Sequence, residues 1–188
     1  KFKATDLIEA LKEGETGLIA YAGEAFTISP LTRDNATLLN LLPTLSPDIM
    51  PVRGSNLPLA LEQGKNLLMQ GGHIRGDIIL VTDGVSPNQM NAAKKVLQGS
   101  QYRLSILAVG SEQGSPIRLP DGQLLRDKAD QVVIAKTNYS LLNELTQDTQ
   151  GLLLPFRTDG TDLKHLIQWF GVSGDTKATE LNGEVWQD

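Results

Sequence analysis

The sequence predicts a single α/β domain with a doubly wound, mostly parallel Rossmann-like sheet and one antiparallel edge strand. Strand-like apolar runs alternate with helical patterns along most of the 188 residues, which is the order of a sheet with helices on both faces. Residues 78–81 are apolar without a break, as expected of a parallel strand covered on both sides. A chain of this length can bury a core of its own.

The amino-terminal part is predicted to contain three helices and an edge hairpin. Apolar residues at helical spacing define the helices, and two short apolar runs flank a turn at Gly23. Asp34 and Ser55 are polar residues placed to cap the second and third helices. The predicted order is helix 1–13, strands 17–22 and 25–29, helix 34–42, loop 44–54 and helix 55–70.

The carboxyl-terminal part is predicted to continue the alternation. Ser86 and Gln89 have the spacing of a capping box, with Pro87 at the first helical position. The predicted order is strand 77–82, helix 86–98, strand 103–109, irregular 110–127, strand 131–135, helix 140–149, strand 151–156 and helix 163–170. We therefore predict one domain over 1–170 and a polar tail over 171–188.

Composition excludes several classes of function. Because the chain has no cysteine, it can form neither disulfides nor thiolate metal sites. A net charge of −5 without a basic cluster argues against a nucleic-acid surface. No stretch approaches the roughly 18 apolar residues of a membrane span. The chain opens directly on a helical pattern, which we take as a sign of a fragment.

Ser55 and Asp83 are the candidate site residues. Asp83 follows the most apolar strand, and Ser55 begins the helix that precedes that strand. Ligands bind beyond the carboxyl ends of strands in open parallel sheets, and a carboxylate with a hydroxyl suits Mg²⁺, which prefers oxygen ligands. A purely structural interpretation stays open at this point, with Ser55 as a helix cap and Asp83 as a turn residue.

The remaining polar residues offer weaker candidates. His73 and His165 lack partners at ligand spacing, so an exposed or locally bonded histidine is the expectation for each. The loop acids Asp121, Asp127 and Asp130 are expected to serve turns and solvation. No nucleophile elbow, Walker A or dinucleotide fingerprint is present in the sequence.

Several motifs, in order along nearly the whole chain, resemble a von Willebrand factor type A (VWA) domain of the bacterial Bat (aerotolerance operon) proteins of the BatB type. They are Gly17-Leu18-Ile19-Ala20-Tyr21-Ala22-Gly23-Glu24-Ala25-Phe26, Pro30-Leu31-Thr32, Pro47-Asp48-Ile49-Met50-Pro51, Gly54-Ser55-Asn56-Leu57, Ile79-Leu80-Val81-Thr82-Asp83-Gly84, Val109-Gly110, Gly114-Ser115-Pro116-Ile117 and Leu119-Pro120-Asp121-Gly122. Any one of these pieces would be weak evidence, but the combination is specific.

The resemblance implies a metal-ion-dependent adhesion site (MIDAS) that holds Mg²⁺. In the family, the site uses a D-x-S-x-S motif after the first strand, a later hydroxyl and an Asp after the fourth strand. Ser55 matches the hydroxyl, as serine in place of threonine, and Asp83 matches the late Asp. The D-x-S-x-S motif occurs nowhere in this sequence, so the implied site is incomplete in this chain, although the parent protein could complete it.

The family's first strand is central, between the strands at 17–22 and 77–82, and it is missing here. An empty position would leave buried backbone groups unpaired, at about 1–3 kcal/mol each. We therefore expect the fragment to close the two halves together, to borrow a neighbour's strand or to expose edges that dimerise. Self-association is the resulting expectation, with Mg²⁺ binding weak or absent.

The resemblance also implies a location. In this family the domain lies between membrane-spanning segments, and residues 183–188 resemble the lead-in to the following span. Trp186 would lie near the membrane interface, where aromatic residues are favoured. We expect the soluble part of a bacterial inner-membrane protein, on the periplasmic side.

The leading functional hypothesis is a non-enzymatic protein-interaction module. An acidic side chain of a protein partner would complete the coordination of Mg²⁺ in the parent. A metal-independent structural assembly module is the alternative. A metal-dependent hydrolase with Asp83 as ligand or nucleophile is a third, disfavoured because no residue is evidently placed as a general base.

Overall fold

The computed structural model describes residues 2–11, 14–45, 54–110, 115–116, 118–135, 137–173 and 181–187. A six-stranded sheet, ordered β2-β1-β8-β3-β4-β7, forms its centre. The strands are β1 (Thr16–Tyr21), β2 (Ala25–Thr32), β3 (Arg75–Thr82), β4 (Gln101–Ala108), β5 (Ser115–Pro116), β6 (Ile134–Ala135), β7 (Leu153–Pro155) and β8 (Leu181–Gln187). The helices are α1 (Phe2–Ala10), α2 (Asn35–Leu41), α3 (Leu57–Gln70), α4 (Met90–Leu97), α5 (Tyr139–Asp148) and α6 (Thr161–Ser173).

Helices cover both faces of the sheet, as predicted. One buried cluster joins α3, α4 and α5 to one face, and a second joins α1, α2 and α6 to the other. Alternation along the strands produces this division, because successive side chains point to opposite faces. In β3, for example, Ile78 and Leu80 belong to the first cluster, whereas Ile79 and Val81 belong to the second.

The predicted edge hairpin is confirmed. Strand β2 pairs antiparallel with β1, while the other pairings in this sheet are parallel. The strand extends through Thr32, beyond the predicted end at Ser29. Pro30 lies within it, which an edge strand tolerates because one side of its backbone needs no partner.

The central position between β1 and β3 is filled from within the chain. Strand β8 pairs in parallel with both neighbours, with Gln187 opposite Tyr21 and Trp186 opposite Val81. This position is the one that the family's first strand would take. The predicted gap is therefore not open, and none of the three expected ways of closing it is needed. Residues 181–187 were expected in a polar tail, and α6 also continues past residue 170 to Ser173.

Three local predictions need correction. Ser86 makes no capping hydrogen bond, and residues 87–89 form a 3-10 turn before α4. The side chain of Gln89 is directed to Ser55 instead, where its Nε2 donates to the backbone carbonyl at 2.8 Å. The strand predicted over 131–135 is reduced to β6, and β5, which pairs with it, lies in the stretch 110–127 predicted to be irregular.

Candidate functional site

The candidate site lies at the edge of the sheet where β1 and β3 end, which we call the carboxyl edge. Tyr21 is the last residue of β1, and Thr82 is the last of β3, with Asp83 directly after it. The segment before α3 joins them, because the backbone N–H of Asn56 donates to the carbonyl of Ala22 at 2.6 Å. The topology therefore brings Ser55 and Asp83 to one edge, as the sequence predicts.

Tyr21 connects the two predicted residues. Its side chain is 1% exposed, its hydroxyl donates to the side chain of Thr82, and Ser55 and Asp83 are close enough to influence its pKa. The distance from the Tyr21 hydroxyl to Thr82 Oγ1 is 3.4 Å. Ser55 and Asp83 are thus the outer members of a cluster whose buried centre is a tyrosine hydroxyl.

Burial keeps that hydroxyl neutral. It raises the pKa of Tyr21 from 10.0 to about 12, because the phenolate would lose its hydration. Hydrogen bonds with Thr82 and Ser55 act in the opposite direction, and the nearby charge of Asp83 raises the pKa further. Tyr21 therefore presents a protonated hydroxyl to the site at neutral pH.

The prediction that Ser55 caps α3 is wrong. Asn56 is the N-cap, and its side-chain oxygen accepts from the backbone N–H of Leu59 at 3.3 Å. Leu57 is the first helical residue, so the cap lies one position later than predicted. The half-buried Ser55 side chain, freed from capping, lies near Tyr21 at the carboxyl edge.

Asp83 provides the negative charge of the cluster. Its side chain is exposed and makes no hydrogen bond or ion pair with any residue that the structure describes. The backbone beside it is held by Thr82, whose hydroxyl donates to the Gly84 carbonyl at 2.9 Å and accepts from the Gly84 N–H at 3.2 Å. Asp83 is thus a solvent-facing carboxylate on a fixed turn.

The donors at the carboxyl edge suit Mg²⁺ in kind but supply only part of a coordination shell. Mg²⁺ takes six oxygen ligands, commonly one or two carboxylates with several waters. Ser55 and Asp83 offer one hydroxyl and one carboxylate. Among the described residues, no group of three or more histidine or acidic side chains could hold a metal ion. The pair could therefore hold Mg²⁺ only with water making up most of the shell.

The other sequence candidates lie apart from this edge. The ring Nε2 of His73 is 2.8 Å from Glu15 Oε2, just before the start of β1, and His165 is exposed on α6. Asp121 and Asp127 accept backbone hydrogen bonds within their own turns. His73 is thus locally bonded and His165 exposed, as expected of them, and both acids serve their own turns.

Tyr21 is the site residue that the sequence analysis missed. The sequence feature that indicates Tyr21 is its polar hydroxyl at the end of an otherwise apolar run, directly before Ala22-Gly23. A tyrosine at the end of a buried strand can place its ring in the core and its hydroxyl at the edge. The apolar run that contains Tyr21 predicts a buried strand, and this pattern alone does not assign the tyrosine hydroxyl to a site.

This chain is similar to a known protein family and to solved structures. Residues 1–85 match the family model of the von Willebrand factor type A domain. The fold is similar to the crystal structure of BatB, a conserved hypothetical protein from Bacteroides thetaiotaomicron, with 25% identity and a TM-score of 0.75 over 90% of this chain and 83% of that one. No curated protein sequence matches this chain.

A second solved structure is similar to the same extent. It is an aerotolerance-related membrane protein from Bacteroides fragilis NCTC 9343 with multiple mutations to serines, 26% identical, with a TM-score of 0.72 over 89% of this chain and 86% of that one. In the part of this chain that the structure describes, no helix is long and apolar enough to cross a membrane. The matches confirm the resemblance to BatB-like VWA domains.

Proposed function

We propose that this chain, a BatB-like von Willebrand factor type A domain, is a non-enzymatic interaction module that contacts protein partners through the carboxyl edge at Ser55 and Asp83. VWA domains are protein-interaction modules in general. The observation that supports this edge as the contact surface is an exposed carboxylate, Asp83, at the same strand ends as the half-buried Ser55 and beside the buried Tyr21. In the parent protein, a complete site would hold Mg²⁺, and the metal would offer one open coordination position to an acidic side chain of the partner.

In this chain the site is expected to bind divalent cations weakly. One carboxylate and one hydroxyl leave most of the shell to water, so we expect dissociation constants in the millimolar range. Ser55 and Asp83 would be the two protein ligands. The Asp83 charge would supply most of the attraction because it is the only ionised side chain in the cluster formed by Tyr21, Ser55, Thr82 and Asp83.

Paramagnetic NMR with Mn²⁺ as the probe tests this proposal, since weakly bound Mn²⁺ broadens nearby amide signals. Titration should broaden residues 54–56 and 82–84 first, and EDTA should restore them. Asp83→Asn should abolish the selective broadening, whereas Asp121→Asn, which removes a turn carboxylate elsewhere, should not. Unselective broadening would overturn the metal site and favour the metal-independent assembly module.

An enzymatic role receives no support from the cluster. General acid–base catalysis needs a titratable group poised near the working pH. Burial moves Tyr21 away from that range, and both histidines lie outside the cluster. The non-enzymatic assignment remains part of our proposal, and hydrolysis of p-nitrophenyl phosphate with Mg²⁺ by the wild type but not by Asp83→Asn would contradict it.

Location and self-association complete the proposal. One structural relative is described as a membrane protein, and we propose that this domain is a periplasmic part of a bacterial inner-membrane protein. Alkaline phosphatase fused to the parent at this domain should be active, and an inactive fusion would place the domain on the cytoplasmic side. Self-association should depend on whether β8 remains in its own sheet.

A further inference from the structure

The segment 54–56, just before α3, contacts two other parts of the carboxyl edge. It lies against the turn that joins β1 to β2, where a Cβ built on Gly54 would be 3.5 Å from the Cα of Gly23. It is also hydrogen-bonded to the stretch between β3 and α4, which we call the Asp83 loop (residues 83–89). The segment thus connects the end of β1 to the Asp83 loop.

A single peptide group makes both of these long-range hydrogen bonds. The group between Ser55 and Asn56 donates its N–H to the Ala22 carbonyl at 2.6 Å, and its carbonyl oxygen accepts from Gln89 Nε2 at 2.8 Å. In a planar trans peptide the N–H and the C=O point in opposite directions. The two bonds therefore hold this peptide group from opposite sides and fix the orientation of its plane.

The side chain of Gln89 starts from a well-defined part of the backbone. The N–H of Gln89 donates to the Ser86 carbonyl at 2.9 Å, and the next residue, Met90, is buried in the cluster between α3, α4, α5 and the sheet. Gln89 itself is half-buried. Its amide therefore reaches the Ser55 carbonyl from a backbone position that the core already holds.

These bonds determine where the Ser55 hydroxyl lies. The Ser55 side chain leaves the Cα that carries the bonded carbonyl, so a fixed peptide plane also fixes the origin of the Cα–Cβ bond. Hydrogen bonds to the groups behind a metal ligand orient that ligand and raise its affinity for the metal. Because Gln89 and Asp83 belong to the same loop, the bond also relates the position of the hydroxyl to that of the carboxylate.

We propose that Gln89 is a positioning residue of the carboxyl-edge site, which holds the Ser55 hydroxyl in place relative to the Asp83 carboxylate. The inference rests on the proposed function, since it deepens the role of the same site. Gln89 is not itself a ligand, and it acts through the backbone carbonyl of Ser55. The turn beside Asp83 is held separately by Thr82, so the loss of Gln89 should displace the hydroxyl and leave the carboxylate in place.

Gln89→Met tests the inference, because it keeps the length of the side chain and removes its donor. The Mn²⁺ affinity should fall about two- to tenfold, the value of one hydrogen bond. In the metal-free protein, the ¹³C shift of the Ser55 carbonyl should change and the Asn56 amide should exchange faster with solvent. The Leu59 amide, which the Asn56 side chain caps, should exchange as in the wild type.

Gln63→Met is the matched control. Gln63 is also half-buried and also donates through its Nε2, at 3.0 Å to the Thr27 hydroxyl on β2, outside the proposed site. This variant loses a bond of the same kind and should bind Mn²⁺ as the wild type does. The comparison therefore separates the position of the lost bond from the loss of a glutamine bond in general.

The outcomes distinguish this inference from the proposed function. Weaker binding in Gln89→Met, with Gln63→Met unchanged and the Leu59 amide still protected, supports both. Wild-type affinity in Gln89→Met overturns the inference alone, provided that Asp83→Asn still loses binding. Lost affinity together with faster exchange at Leu59 would mean that Gln89 stabilises the start of α3, and the positioning role would be rejected. If wild type and Asp83→Asn behave alike, the proposed cation site fails, and the role of Gln89 fails with it.

Discussion

At the scale of the residue, Tyr21 makes the stability of the domain sensitive to high pH. Its pKa is raised to about 12 in the folded chain from the ordinary tyrosine value of 10.0. Because the folded pKa is the higher one, its stabilising contribution is complete below pH 10 and is lost as pH rises through 12. This window lies well above neutral pH, so the tyrosine is uncharged wherever the proposed site would operate.

Tyr21→Phe should remove part of that pH dependence. Between pH 9 and pH 11, the free energy of unfolding of the wild type should fall by about 1.4 kcal/mol more than that of the variant, the equivalent of one pKa unit. Urea unfolding at both pH values in the presence of EDTA measures the difference. Parallel losses in the two proteins would show that Tyr21 ionises in the folded state as readily as in the unfolded one.

Arg103 is the second residue whose role the structure defines. Its guanidinium donates to both carboxylate oxygens of Asp77, at 2.8 and 3.0 Å, and lies 4.4 Å from the centre of the Trp169 ring. Asp77 is 5% exposed, and burial raises its pKa although Arg103 opposes that shift. The ion pair thus connects β3 and β4 to α6.

Arg103→Met should destabilise the domain by about 3–5 kcal/mol, because it leaves a buried carboxylate without its partner. Arg75→Met is the control, since the exposed Arg75 donates to Gln101 and to no other described residue, and it should cost less than about 1 kcal/mol. Chemical unfolding of both variants at pH 7 provides the comparison. Equal losses would mean that Arg103 contributes no more than an exposed side chain.

At the scale of the element, two neighbouring residues at the start of α3 have different roles. One caps the helix, and the other belongs to the proposed site. Asn56 caps the helix, and the adjacent Ser55 lies near Tyr21 at the carboxyl edge. Helix caps accept Asn, Ser and Asp nearly equally but not Ala. The two neighbours can therefore be distinguished by the substitutions that each one tolerates.

Asn56→Ala should destabilise the domain by about 1 kcal/mol, whereas Asn56→Ser should remain within about 0.5 kcal/mol of wild type. Thermal or urea unfolding measures both. Neither variant should change the Mn²⁺ affinity, because Asn56 is not one of the two proposed ligands. A serine variant as unstable as the alanine variant would show that the amide of Asn56 does something other than capping.

At the scale of the whole molecule, β8 decides whether the sheet is continuous. Without it, β1 and β3 would each present a row of unpaired backbone groups in the centre of the sheet, and such edges recruit other strands. With β8 present, these groups pair within the chain. Self-association was expected because the central position of the sheet would be empty. Since β8 fills that position, we expect self-association only of a chain that has lost or exchanged β8.

A chain truncated after Ser173 should reveal this dependence. We expect the 188-residue chain to have the mass of a monomer in light scattering, with or without millimolar Mg²⁺, and the truncated chain to associate or to unfold. Val185→Pro, in the middle of β8, is a milder change than the truncation because it removes one backbone donor. A truncated chain that stays monomeric and equally stable would show that β8 contributes nothing to the sheet.

Sequence patterns alone were enough to predict the fold class, the edge hairpin and the placement of Ser55 and Asp83 at one edge of the sheet. These predictions rest on local signals: apolar runs of strand length, turn residues between them, and the rule that parallel strands end at one edge. Motif order along the chain also indicated the VWA resemblance. Such signals survive in a single sequence because each depends on neighbouring residues and on periodicity alone.

The position of residues 181–187 in the sheet and the role of Tyr21 are visible only in the folded structure. A strand's neighbours are chosen by free backbone donors and acceptors, which are far away in sequence, so a segment with a polar composition could still become the central strand. The tyrosine looked like one more apolar residue until Thr82 and Ser55, 61 and 34 residues further along, were brought to its hydroxyl. Long-range hydrogen bonds of this kind leave no periodic trace in the sequence.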